Sequence, residues 1–134
     1  MLFLITNSKI MSQIKTFKDL KVWNKAHNFV LYVYRITKDF PQGEKFNLIS
    51  QIRRAVIYIA SNIVEGFHRS SIKESLRFYN IAEASLEEAK YQLLIAKDLD
   101  YISSAIYQEG INLADEVGRM LNSWVVSQIK NSKV

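Results

Sequence analysis

The chain has 134 residues, 49% apolar and 23% charged, with a net charge of +5, which excludes a disordered polymer and gives one domain with a core that needs no staples. The absence of cysteine excludes disulfide scaffolds, thiolate zinc sites and thiol nucleophiles, and suits a cytoplasmic protein. Only 4 glycines and 1 proline leave little punctuation for a many-stranded sheet, so the expected fold is all-α.

Met1–Ile5 is apolar but far shorter than the ~20 residues of a membrane span. It has no basic lead-in and no small-residue cleavage site, and Met11 offers a second start. Residues 1–14 are therefore expected to be a loose extension or a misassigned start, 15–130 the folded bundle, and 131–134 a tail. No membrane partner is expected.

Thr16-Phe-Lys-Asp19 has capping-box spacing and predicts the start of a first helix. Trp23, Ala26, Val30, Val33 and Thr37 recur at helical spacing beside Phe29, Ile36 and Phe40, and Pro41 is expected to end the helix. A second helix is predicted over about 44–68. Leu48, Ile49, Ile52, Ala55, Val56, Ile59, Ala60, Ile63 and Phe67 fill a broad apolar arc, and Gly66 sits where a left-handed cap would form. Ser71-Ile-Lys-Glu74 is a second capping box. It opens a third helix whose expected inner arc, Phe78, Ala82, Ser85, Leu86, Ala89, Leu93 and Ala96, is rich in small residues and suits a tight seam. After the break at Asp98–Ser103, Ser103 or Ser104 caps a fourth helix carrying Ile106, Ile111, Leu113, Val117, Leu121, Trp124 and Val125 to about residue 129. Short connections force antiparallel neighbours, so the expected architecture is an up-down-up-down four-helix bundle.

Charge is uneven along the chain: residues 1–80 carry 13 Lys/Arg against 5 Asp/Glu, and residues 81–134 carry 5 against 8. A basic half beside an acidic half suits an anionic partner or subunits that pair by charge. On the first helix Lys18, Lys21, Lys25, Asn28, Tyr32 and Arg35 follow a 3-4-3-4-3 spacing, one stripe of the kind a phosphate backbone tracks. Every amphipathic helix also needs a solvated face, and that plainer reading stands beside the first. Arg69, Lys73 and Arg77 make a second basic cluster, although Glu65 and Arg69 have the i,i+4 spacing of a pair within one helix.

Opposite the apolar arc of the second helix runs a polar ladder, Gln51, Arg54, Tyr58, Asn62 and Glu65. Acid–base or covalent catalysis needs two carboxylates or a nucleophile with its base, and the ladder offers one carboxylate. It is read as a hydrogen-bonded seam between helices or subunits. Glu65-x-x-His68 has di-iron spacing, but the partner histidine, His27, has Asn24 where the carboxylate belongs. No metal, cofactor or catalytic residue is assigned. Glu83, Glu87 and Glu88 form an acidic side of the third helix that suits a basic neighbour.

Several interrupted motifs occur in order: Asp19-Leu-x-Val-Trp23 with Ala26, Tyr34-x-x-Thr37-x-x-Phe-Pro41 with Glu44, Gln51-Ile-Arg-Arg-Ala55, Asn62-Ile-x-Glu-Gly66 with Arg69, Phe78-x-x-Ile-Ala82 and Ser85-Leu-x-Glu88. On these the chain, over about 16–126, resembles the bacterial four-helix-bundle family of 23S rRNA intervening-sequence proteins. Tyr58 departs from the family's usual serine and Val64 from its common alanine. The resemblance implies a bundle that assembles as a ring-like homo-oligomer, typically a pentamer, and implies no catalytic activity. Glu116-Val-Gly-Arg-Met-Leu-x-Ser-Trp124 is also similar to a segment of the accessory proteins of diversity-generating retroelements, basic pentamers that partner a reverse transcriptase. The resulting expectation is a non-enzymatic accessory or scaffold factor that binds RNA, DNA or a ribonucleoprotein. Its alternative is a protein-interaction module, such as a reverse-transcriptase accessory subunit, without direct nucleic-acid contact.

Overall fold

The computed structural model describes residues 13–132 of the protein. Four helices account for most of them: α1 (Lys21–Thr37), α2 (Leu48–His68), α3 (Ile72–Asp98) and α4 (Ser104–Ser132), with short 3-10 turns at Phe17–Asp19 and Gln42–Glu44. There is no strand among the described residues. The expected loose stretch at 1–14 lies outside the described residues except for Gln13 and Ile14, as do the last two residues of the expected tail.

Thr16 does not open the first long helix. The Asp19 carboxylate accepts from the backbone N–H of Lys15 and Thr16 (3.0 Å each), and Asp19 N–H returns to the Thr16 carbonyl at 3.0 Å, closing a 3-10 turn. Leu20 then adopts extended backbone and buries its side chain to 2% exposure, so α1 begins only at Lys21. Asn24 clamps the turn to the helix, its amide donating to the Lys18 and Leu20 carbonyls. The helix also ends before the segment leading to Pro41. Thr37 is fully buried and its hydroxyl donates back to the Val33 carbonyl at 2.7 Å, while Phe40 turns inward beside Tyr101. Glu44 lies in a 3-10 turn, and α2 starts four residues later than expected.

Gly66 is helical and does not form a left-handed cap; no described glycine has positive φ. Its missing side chain has another purpose, because a methyl there would fall 2.8 Å from Tyr79 Cδ1. Tyr79 therefore takes the buried position expected for Phe78, one residue away. Its ring lies on the Gly66 backbone and its hydroxyl accepts from the Trp124 indole N–H at 2.9 Å. Ser71 caps α3, accepting from Glu74 N–H at 3.2 Å, and Ser103 caps α4 through Ile106 N–H at 3.1 Å. Between them α3 ends in a Schellman motif: Tyr101 N–H bonds to the Ala96 carbonyl, Asp100 N–H to that of Lys97, and Asp100 holds φ 61°.

Each helix packs against its chain neighbours, and α1 closes the set against α4. The backbones of the diagonal pairs α1–α3 and α2–α4 do not approach each other. The α2–α3 seam is the most extensive. There Ile52, Val56, Ile59 and Ile63 meet Ala82, Leu86, Ala89 and Leu93, all buried, which is the tight small-residue contact anticipated for the third helix. On α4 the buried positions are Gly110, Ala114, Val117 and Leu121; a methyl on Gly110 would stand 3.0 Å from Leu93 Cδ1. No helix among the described residues is long and apolar enough to cross a membrane.

Candidate nucleic-acid interface

The stripe expected on the first helix does not form one solvent-facing row. Lys18 stands on the 3-10 turn and Lys21 at the first position of α1, both exposed. Lys25 is half-buried and paired with Glu116 of α4 at 3.3 Å. Asn28 is exposed. Tyr32 belongs to the core: it is 5% exposed and its hydroxyl donates to the Ile106 carbonyl at 2.8 Å. Burial, with Glu109 nearby, pushes its phenol up to about 12. Arg35 is exposed, its guanidinium 5.8 Å from the Tyr32 ring centre. The stripe fails because its spacing follows the edge of α1 that closes against α4, where a phenol is drawn inward and a lysine is neutralised.

The second basic cluster divides similarly. Arg69 pairs with Glu65 and lies over the Phe78 ring at 4.7 Å, whereas Lys73 and Arg77 are exposed without an ion-pair partner among the described residues. Topology adds what spacing along one helix does not reveal. The start of α1, the end of α2, the start of α3 and the end of α4 share one end of the bundle. That end collects Lys15, Lys18, Lys21, Arg69, Lys73, Arg77, Arg119 and Lys130 against Asp19, Glu65, Glu74 and Glu83. The opposite end carries Arg35, Lys38, Lys45, Arg53, Arg54 and Lys97 against Asp39, Glu44, Asp98, Asp100 and Glu109, a nearly even balance. Arg119 and Lys130 come from the acidic half of the sequence, which is why a count along the chain does not place them with the others.

The polar ladder faces outward. Gln51, Arg54, Tyr58 and Glu65 are exposed; Asn62 is half-buried, and its amide donates to the Tyr58 carbonyl at 2.7 Å. Its hydrogen bonds among the described residues run to α2 itself or to Arg69 just beyond it, so no seam to another helix of the same chain forms there. Ile81 and Tyr91 of α3, 45% and 63% exposed, flank the ladder together with Ala84. The neighbouring arginine, Arg53, is the one that ties helices together. Its Nε donates to Thr37 Oγ1 at 2.9 Å, and its guanidinium lies 4.4 Å from the Tyr34 ring centre. Arg53 falls outside the ladder's spacing, and that offset was the available signal that it faces α1.

His68 is exposed at the end of α2, and His27 stacks on Trp23 with ring centres 5.0 Å apart, so the two histidines serve different surfaces. Across α3 and α4, Lys90 bridges Glu87 (3.4 Å) and Asp115 (3.0 Å), and the Asp115 contact raises its pKa. The α4 segment Glu116–Trp124 contributes packing here: Glu116 holds Lys25, Gly118 meets Leu86, and Trp124 holds Tyr79.

No curated protein matches the chain. Among solved structures, a protein of unknown function from the S23 ribosomal protein family of Bacteroides thetaiotaomicron superposes with a TM-score of 0.70 at 24% identity, covering 78% of this chain and 97% of its own. That likeness supports the fold. The family model for the 23S rRNA-intervening sequence protein matches residues 18–123, from the 3-10 turn through most of α4, and the chain belongs to that family.

Proposed function

We propose that this protein is a non-enzymatic accessory or scaffold factor that binds nucleic acid or a ribonucleoprotein through the basic end of its bundle, working as a ring-like homo-oligomer. The observation that carries this reading is the gathering at one end of exposed cations from three helices and the 3-10 turn, Lys18, Lys21, Lys73, Arg77, Arg119 and Lys130, none ion-paired among the described residues. Phosphate backbones are held by clustered Lys and Arg, with affinity that falls steeply with salt. Cyclic symmetry repeats such an end on every subunit. The exposed apolar side chains of Tyr58 in the ladder and of Ile81 and Tyr91 on α3 support α2 and α3 as the assembly face. The ladder's single carboxylate is already engaged by Arg69, which favours assembly over catalysis.

The test is fluorescence anisotropy with structured RNA and with single-stranded DNA across ~50–200 mM salt. Changing Lys18, Lys21, Lys73 and Arg77 to alanine is expected to weaken binding to all sequences. It should also flatten the salt slope by about one unit per lost phosphate contact. Lys25→Ala with Arg35→Ala serves as the control and should leave both nearly unchanged. Binding that ignores salt, or that survives the four-fold variant, refutes the reading.

A further inference from the structure

The Lys25–Glu116 pair sets the register of α1 against α4, placing Lys21 beside Met120. From there α4 continues for the 12 residues Leu121–Ser132, about 18 Å, with no α1 residue opposite. The 3-10 turn covers only part of that overhang. What remains is a two-walled cleft of about 690 Å³. Ile14, Leu20 and Val22 line one wall and Met120 and Trp124 the other, so the interior is mainly apolar. Lys21 and Arg119 stand on its rim, both exposed and neither ion-paired among the described residues. Asp19, the acid on the same rim, turns its carboxylate to the backbone N–H groups of Lys15 and Thr16 and stays ionised, so the rim carries two cations against one anion. The Trp124 indole N–H is spent on Tyr79, leaving the indole's apolar surface to the cleft.

We infer that this cleft binds a long-chain carboxylate, one molecule per chain, with the alkyl chain between Ile14 and Met120–Trp124 and the headgroup on Arg119 and Lys21. Its volume lies within the range of small-ligand sites, which join apolar walls to a few placed polar groups. A guanidinium matches a carboxylate in two parallel hydrogen bonds, with the lysine as the second charge. An unbranched thioether such as Met120 adapts to a flexible chain. A nucleic-acid strand would use the same cations but would leave the apolar walls unfilled.

The experiment uses the full chain carrying Trp23→Phe, so that Trp124 is the only indole, titrated with dodecanoate at micromolar concentrations and confirmed by calorimetry. Saturable Trp124 fluorescence change with one ligand per chain is expected. Dodecanol should bind at least ten-fold more weakly. Octanoate should also bind more weakly, by roughly four-fold for each methylene lost. Lys21→Glu with Arg119→Glu, both at exposed positions, should abolish carboxylate binding while leaving the thermal midpoint within a few degrees. Lys73→Ala with Arg77→Ala, absent from the cleft, should not change it, which separates this inference from the nucleic-acid reading. No saturable response, equal binding of dodecanol, or a response confined to anionic vesicles or RNA would overturn it.

Discussion

Arg53 and Arg54 are adjacent in sequence and opposite in circumstance. The first holds the buried Thr37 hydroxyl and lies on Tyr34, whereas the second is exposed on the ladder. Arg53→Ala removes a charged donor from a buried acceptor and should destabilise the chain by about 1–3 kcal/mol. Arg54→Ala should stay within about 0.5 kcal/mol in the isolated chain. Urea midpoints at constant slope measure both. Tyr32 provides a second residue-scale test through pH. Its phenol is held above the unfolded value of about 10 and reaches about 12, so the folded state retains a proton that the unfolded chain has lost. The stabilisation is therefore complete below pH ~10 and disappears as pH rises towards about 12. Denaturation midpoints should fall across that window. Tyr32→Phe should make the fall shallower but not remove it, because burial also raises the Tyr79 phenol.

The helices themselves begin and end by local chemistry. Ser71 and Ser103 are sequence-legible caps because a serine hydroxyl reaches the N–H three residues on whatever the rest of the chain does. Thr16 misleads for the same local reason: its box is satisfied by a single 3-10 turn, and the buried Leu20 then breaks the helix before α1 begins. At the far end of α3, Asp100 occupies the left-handed position that glycine fills most easily. Asp100→Gly should stabilise the protein by about 0.5 kcal/mol, the relieved backbone strain being partly offset by the greater freedom of glycine in the unfolded chain. The check is a small rise in the chemical-denaturation midpoint with unchanged helicity.

As a whole molecule the chain is a closed square of helices with one end more basic than the other and an incompletely covered flank along α2 and α3. If that flank is the assembly face, light scattering should return a multiple of 15.6 kDa. Tyr58→Asp with Ile81→Asp should then lower the mass to one chain without loss of circular dichroism, since both side chains are already exposed within the bundle. A single-chain mass for the unaltered protein would refute the assembly proposal and leave the basic end to act alone.

Four helices, their order and the small-residue seam of α3 could be read from the sequence, because caps and 3.6-residue periodicity depend on residues three or four apart. Periodicity also placed the ladder opposite the apolar arc of α2, and those side chains are the exposed ones. It could not distinguish Tyr79 from Phe78, nor show that Tyr32 turns inward and Lys25 is neutralised, because those outcomes depend on the register of one helix against another. Nor could it bring Arg119 and Lys130 beside Lys18, Lys21, Lys73 and Arg77. Linear distance separates these residues by up to 112 positions, and only the antiparallel return of the chain places them at one end, where their fields add.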